Sequence, residues 1–413
     1  MINARKFASA VATGALVLSA FAQTAFATTT LTVSGNGTDS ENTIHVDTSH
    51  NTTVTQTNTA NVTNNVTSNA DTGGNRAKNN TGGDVTIDTG NATAKTNVSN
   101  AVNSNAANVN CCNGGDTSVL ISGNGSDSEN KVKLNSDNNT NVAQTNNGTV
   151  TNNVNSKADT GDNSAKGNTG GDVTITTGDA TVDTKVSTAA NANSATIGGG
   201  SGNSNGGTLS AWIIGNGSDS ENKIKLDLDN GTTVTQWNVA HVTNNVSGKA
   251  ETGDNSAKNN TGGDVSIDTG NADVTTTVDN LVNFNSADVS CGCLLDDILA
   301  KIAGNGSDSE NKITADLGSK NGLDITQGNP TADLTNNVNA KGDTGDNKAK
   351  GNTGAVNGND PSISTGDSTT DTTVKNQANQ NVVGPNSDLE FPELGLSLTL
   401  NFDLNTLKHL LGL

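Results

Sequence analysis

The octet Gly35-Asn36-Gly37-Thr38-Asp39-Ser40-Glu41-Asn42 returns, with Ser in place of Thr, at 123–130, 215–222 and 304–311. Its starts at 35, 123, 215 and 304 are separated by steps of 88, 92 and 89 residues. Self-similarity at a near-constant step means that no unit has to bury its hydrophobic face alone, because each closes on the next. The chain is therefore read as four copies of one unit, each about 90 residues long.

The available side chains restrict the core. Phe7, Phe21 and Phe26 lie in the first 27 residues, which leaves Trp212, Trp237, Phe284, Phe391 and Phe402, with no Tyr in the chain. Large aromatic and aliphatic side chains dominate the energetics of ordinary globular cores. Disorder and a thin-cored β-solenoid are the two folds this composition permits. Charged residues make up only 15% of the chain, too few for charge-driven disorder.

Alternation decides for the solenoid. Val54, Gln56, Asn58, Ala60, Val62, Asn64 and Val66 occupy every second position, with Thr and Asn between them. The same alternation returns at Val142 to Val154 and at Val234 to Val246. Period 2 is the strand signature, and Thr suits a solvated strand face. The fold class is all-β: an elongated β-solenoid built from four repeats of about 90 residues. Thr-Gly pairs at Thr72, Thr81 and Thr89, repeated at Thr160, Thr169 and Thr177, mark turns at steps of 9 and 8. These steps predict a coil of about 17 residues, about five rungs per copy and a rod on the order of 100 Å long.

The segments read as follows: a signal peptide over 1–27; repeats over 28–110, 111–197 and 213–290; a Gly/Ser-rich linker over 198–212; a short cysteine-containing helix or linker over 291–303; an atypical fourth repeat over 304–383; and an apolar cap or assembly strand over 384–413. In the fourth repeat Ile325 to Val338 spans 13 positions, where Val54 to Val66 spans 12. One extra residue beside Pro330 predicts a bulge, since a slip would turn every side chain over. In the tail Leu394, Leu396, Leu398, Leu400, Phe402 and Leu404 alternate strictly with polar or small residues.

Arg5 and Lys6, the apolar run after them and Ala25-Phe26-Ala27 follow the pattern of a secretory leader cut after Ala27. A secreted or cell-surface location is expected. The net charge of −20 argues against nucleic acid and against insertion at an anionic membrane. Catalysis is not expected either, because acids spread over turns and a near absence of aromatics do not line a substrate groove.

Several residues are candidate sites. Asp39, Glu41, Asp127, Glu129, Asp219, Glu221, Asp308 and Glu310 put oxygen-rich turns at each octet, the chemistry Ca²⁺ prefers. The same octet also reads as a plain glycine turn with Asx caps. Cys111, Cys112, Cys291 and Cys293 lie at copy boundaries and are disulfide candidates outside the cytoplasm. Trp237 and His241 fall in the outward set of the third copy and are candidate contacts for a sugar.

At Val54-x-Gln56-x-Asn58-x-Ala60 the chain resembles the Gln/Asn/Ala ladders of curlin-type fibre subunits. More broadly it resembles secreted, Asn/Thr/Gly-rich bacterial surface repeat proteins of β-solenoid type. That resemblance implies a structural role as fibre, stalk or adhesin, with the chain itself and other cell-surface components as partners. Two further functions remain open: a Ca²⁺-binding surface-layer or attachment module, and an ice- or crystal-binding solenoid.

Overall fold

The computed structural model describes residues 5–13, 16–18, 28–109, 116–198, 208–289, 297–317, 322–354 and 361–384. Among them there is no helix, and strands of parallel neighbours stack into sheets in the manner of a solenoid. Two short strands come first, β1 (Arg5–Thr13) and β2 (Leu16–Leu18). A first layer follows: β3 (Thr29–Ser34), β4 (Glu41–Asp71), β5 (Arg76–Lys78), β6 (Val85–Asp88) and β7 (Ala92–Val109).

The next layers repeat that order. The second holds β8 (Thr117–Ser122), β9 (Glu129–Asp159), β10 (Ser164–Lys166), β11 (Val173–Thr176) and β12 (Ala180–Ile197). The third holds β13 (Thr208–Ile214), β14 (Glu221–Glu251), β15 (Ser256–Lys258), β16 (Val265–Asp268) and β17 (Ala272–Val289). The fourth holds β18 (Asp297–Ala303), β19 (Glu310–Asp316), β20 (Gly322–Asp343), β21 (Lys348–Lys350), β22 (Ser362–Ser364) and β23 (Ser368–Val383).

Register shows what stacks on what. Val54 pairs with Val142, Val142 with Val234 and Val234 with Ile325, all parallel. The partner of a residue thus lies one whole copy away. The 17-residue coil is overturned: Thr81 bridges Thr169, Thr169 bridges Thr261 and Thr261 bridges Thr353, so the Thr-Gly pairs mark corners within one layer. A copy forms one wide layer rather than about five narrow rungs, and first and fourth layers lie about 14 Å apart at a spacing of about 4.8 Å. A rod of about 100 Å is therefore not the product of one chain.

Within a layer the chain doubles back on itself. The second half of β4 faces β7 across a thin interior, with Val66 against Val98 and Ala70 against Ala94. The first half of β4 faces β3 through Ile44, Val46 and Val33. β5 and β6 close the far end around Ala77, Val85 and Ile87. The interior takes the inward set read from alternation, which is why Gln56 and Asn58 are buried and their Thr neighbours are not.

The bulge at Pro330 is present. Trp237 pairs with Gly328 and Val239 with Thr331, so Asn238 stands opposite two residues, Asn329 and Pro330. The register recovers at once and Val246 still meets Val338.

Two sequence-based boundaries need correction. The helix expected within 291–303 is a strand over its described part, β18, whose Ile298, Ala300 and Ile302 stack on Leu209, Ala211 and Ile213. Three alternating apolar residues meeting an identical pattern on the neighbouring strand prefer the ladder to a helix. Likewise Thr208 to Trp212 belongs to β13 rather than to the linker. The tail over 385–413 lies outside the described residues.

Candidate functional site

The octets form the stacked turns between β3 and β4 and their counterparts. Asp39, Asp127, Asp219 and Asp308 have φ of 61°, 55°, 55° and 59°. Asp is one of the few non-glycine residues that tolerate this left-handed region, so a backbone requirement accounts for it there. Stacking accounts for the glycine two residues earlier. A Cβ on Gly125 would lie 2.5 Å from Thr38 N, and one on Gly306 would lie 2.4 Å from Ser218 N. Only a bare Cα allows the next turn to approach at layer spacing.

Amide ladders hold the turns in register. Asn42 Nδ2 donates to Asn130 Oδ1 at 2.9 Å, Asn130 to Asn222 at 3.0 Å and Asn222 to Asn311 at 3.0 Å. A second ladder runs through the interior from Asn58 to Asn146, Asn238 and Asn329 at 3.0–3.1 Å. In both, donation runs from the first layer toward the fourth. The glutamine ladder runs the other way, with Gln144 Nε2 donating to Gln56 Oε1 at 2.7 Å and Gln236 to Gln144 at 2.8 Å. In the first three layers these amides are buried, so each satisfied bond there also avoids the larger cost of an unpaired polar group.

The acidic candidates are stacked in columns by the same register. Glu129 and Glu221 are turned onto Lys131 and Lys223. Among the described residues no group of three or more His, Cys, Asp or Glu side chains is arranged to hold a metal ion. The eight octet acids are therefore placed at the turns without being gathered into a cage. Cys111, Cys112, Cys291 and Cys293 lie outside the described residues.

Trp237 and His241 point outward as alternation requires. The indole of Trp237 lies against Gly328, where a Cβ would sit 2.3 Å from its Cε3 atom. His241 Nδ1 lies 2.9 Å from Asp333 Oδ2 in the fourth layer. The pair sits on one strand, four residues apart.

A charge column not singled out from sequence runs along the end of the β4 stack. Lys157 Nζ lies 2.7 Å from Asp159 Oδ2 and 3.1 Å from Glu251 Oε2 in the next layer. The hydrogen bond that Lys157 donates to Asp159 is the main cause that holds its ammonium above its ordinary value. Burial pushes Glu251 up, but Lys249 and Lys157 outweigh it and the carboxyl ends below its ordinary value. Asp162 is raised, first by burial and then by the charges of Asp159, Asp254 and Glu251. The recurrence of an acid at 71, 159, 251 and 343 was the available signal.

The end layers differ from the middle. Side chains that are fully buried in the second and third layers become exposed in the fourth: Ile313 is 47% exposed and Leu323 58%, while Ile224 is 1%. In the first layer β3 to β6 have a neighbour on one side only, and β7 is flanked by β1 in the same 88-residue offset, Arg5 on Thr93. The open edges thus present the same columns of side chains that stack between the layers. No family model, no curated protein and no solved structure matches this chain.

Proposed function

We propose that this is a secreted or cell-surface structural protein that assembles end to end, the fourth layer of one copy receiving the first layer of the next. In this reading the four sequence repeats are four layers of a continuing solenoid. The elongated object is the assembly, and the single chain is one segment of it.

The observation that carries the reading is the open edge of the fourth layer, on which the described residues supply no further layer. An unpaired row of backbone donors and acceptors is a template for another strand. Charge also favours the junction. Lys95 lies 3.0 Å from Asp183 in the layer above it, and the fourth-layer residue in that column is Asp371, which would meet Lys95 of the next copy. Lys341, 2.8 Å from Asp343, would reach Asp71 as Lys157 reaches Glu251. The first layer has Asn69 where the others have lysine, so no ammonium opposes Lys341.

Loss of the leader at Ala27 belongs to the same reading, because β1 occupies the β7 edge that a neighbouring β23 would take. Negative-stain microscopy of the chain starting at Thr28 tests it. Filaments are expected, and fibre diffraction from them should show a strand spacing of about 4.8 Å along the axis. Persistent monomers at high concentration would overturn end-to-end assembly.

A further inference from the structure

One column of the fold carries the same positive charge in every layer. Lys78 pairs in parallel with Lys166, Lys166 with Lys258 and Lys258 with Lys350. Among the described residues no other column is basic in all four layers. The column of Lys157, Lys249 and Lys341 begins with Asn69, and Lys95 stacks on Asp183. Ala77, Ala165 and Ala257 point into the interior, so alternation turns the lysines outward. Lys78, Lys166 and Lys350 are exposed and Lys258 is half-buried. At about 4.8 Å per layer, the four cationic side chains form a row about 14 Å long.

Like charges directly opposite one another in a sheet are destabilising. Elsewhere the chain offsets its cations internally: Lys95, Lys157 and Lys341 lie 3.0, 2.7 and 2.8 Å from a carboxylate. Among the described residues no carboxylate forms such a pair with any of the four stacked lysines. The row is also pinned on both sides. Just before the short strands, Asn75 Nδ2 donates to Asn163 Oδ1, Asn163 to Asn255 and Asn255 to Asn347, at 2.9–3.0 Å. Just after them, Asn80 donates to Asn168, Asn168 to Asn260 and Asn260 to Asn352, at 2.8–3.0 Å. Three-residue strands between two such ladders hold the lysine backbones at layer spacing in advance, so a ligand does not have to order them.

We infer that this row binds a carboxylated linear polysaccharide lying across the layers, its successive carboxylates against successive lysines. Charge complementarity selects the anion, and the even spacing of one cation per layer selects a polymer whose charge also repeats evenly along its length. The neighbouring side chains select a sugar. Ser164 and Ser256 stand two residues before Lys166 and Lys258, on the same outward face. Asp162 and Asp254 are exposed two residues earlier still. Hydroxyl and carboxylate groups beside ammonium suit a polymer that brings anions and hydroxyl donors together. A nucleic acid fits less well. Its bases call for aromatic platforms, which β5, β10, β15 and β21 do not carry, and the net charge of −20 opposes dense phosphate. The four-lysine row belongs to the single chain; only its continuation, Lys350 followed by Lys78 of the next copy, rests on end-to-end assembly.

Fluorescence anisotropy of labelled polygalacturonate tests it on the chain starting at Thr28. Binding should exceed that of neutral dextran and weaken steeply as salt rises, because pairing releases counterions. The double variant Lys166→Gln, Lys258→Gln should weaken it roughly tenfold. The double variant Lys133→Gln, Lys225→Gln removes the same charge from a stacked pair on β9 and β14 and should bind like the parent. None of these four side chains is buried, so both variants should melt like the parent. Equal loss in the two variants would overturn the site, and no preference over dextran would overturn the ligand class. Tighter binding of single-stranded DNA than of polygalacturonate of equal charge would also overturn it, since the occupant would then be a nucleic acid. Sedimentation of the mixtures at high concentration reads assembly separately. A monomer that binds the polymer contradicts only the end-to-end reading, and filaments that ignore the polymer contradict only this site.

Discussion

Asn146 Nδ2 donates to Asn238 Oδ1 at 3.0 Å, although the two residues are 92 positions apart and both are fully buried. Asn146 also donates to Asn193 Oδ1 at 2.8 Å across the thin interior of its own layer. One carboxamide thus fixes both how layers stack and how the two walls of a layer meet.

Asn238→Ala should therefore be costly. Removing it takes the acceptor from Asn146 and from Asn193, and the donor from Asn285 and Asn329. Leaving buried amides unpaired costs about 1–3 kcal/mol. Urea unfolding, compared with an outward control such as Thr243→Ala, measures the loss.

Glycines separate folding from assembly. A Cβ on Gly161 would lie 2.0 Å from Gly253 O, so Gly161→Ala should destabilise the chain by more than about 4 kcal/mol, the range reserved for severe steric conflict. A Cβ on Gly37 or Gly83 meets nothing within 4 Å, because it points away from the second layer. Gly37→Ala should melt like the parent chain yet fail to form filaments, since the added methyl would strike the fourth layer of the preceding copy. Filaments of normal yield from this variant would contradict the proposed junction.

Asp371→Lys changes charge on an exposed position of the fourth layer. It should leave melting unchanged and slow assembly by placing like charges against Lys95. Screening falls within about 8 Å at physiological ionic strength, so added salt should restore part of the rate. Light scattering at two salt concentrations reads the effect.

The charge column predicts a pH profile. The folded values of Glu251 and Asp343 are depressed, so their stabilisation is present above the ordinary carboxylate range and is lost as pH falls through the folded values. Lys157 is raised, so its share is present below the ordinary lysine value and is lost as pH rises through the folded one. Asp162 has the opposite sign to its acidic neighbours: raised in the folded chain, it weakens the fold at neutral pH. Asp162→Asn, at a φ of 57° that Asn accepts, should raise the melting temperature at pH 7. The gain should vanish below about pH 4, where the unfolded carboxyl also keeps its proton. Melting curves across roughly pH 3 to 8 carry the comparison.

The sequence by itself determined the β class, the inward set Val54, Gln56, Asn58, Val62, Asn64 and Val66, and the bulge beside Pro330. Each follows from local chemistry: a side chain's face is set by alternation, and an extra residue must be extruded to preserve it. Only the tertiary structure decided the partners. Alternation gives the face of Val54 but carries no information on whether its neighbour is 17 or 88 residues away. The choice is made by columns of identical groups at long range, Asn42 on Asn130 and the bare Cα of Gly125 over Gly37, because amides pair and glycines nest only when like meets like.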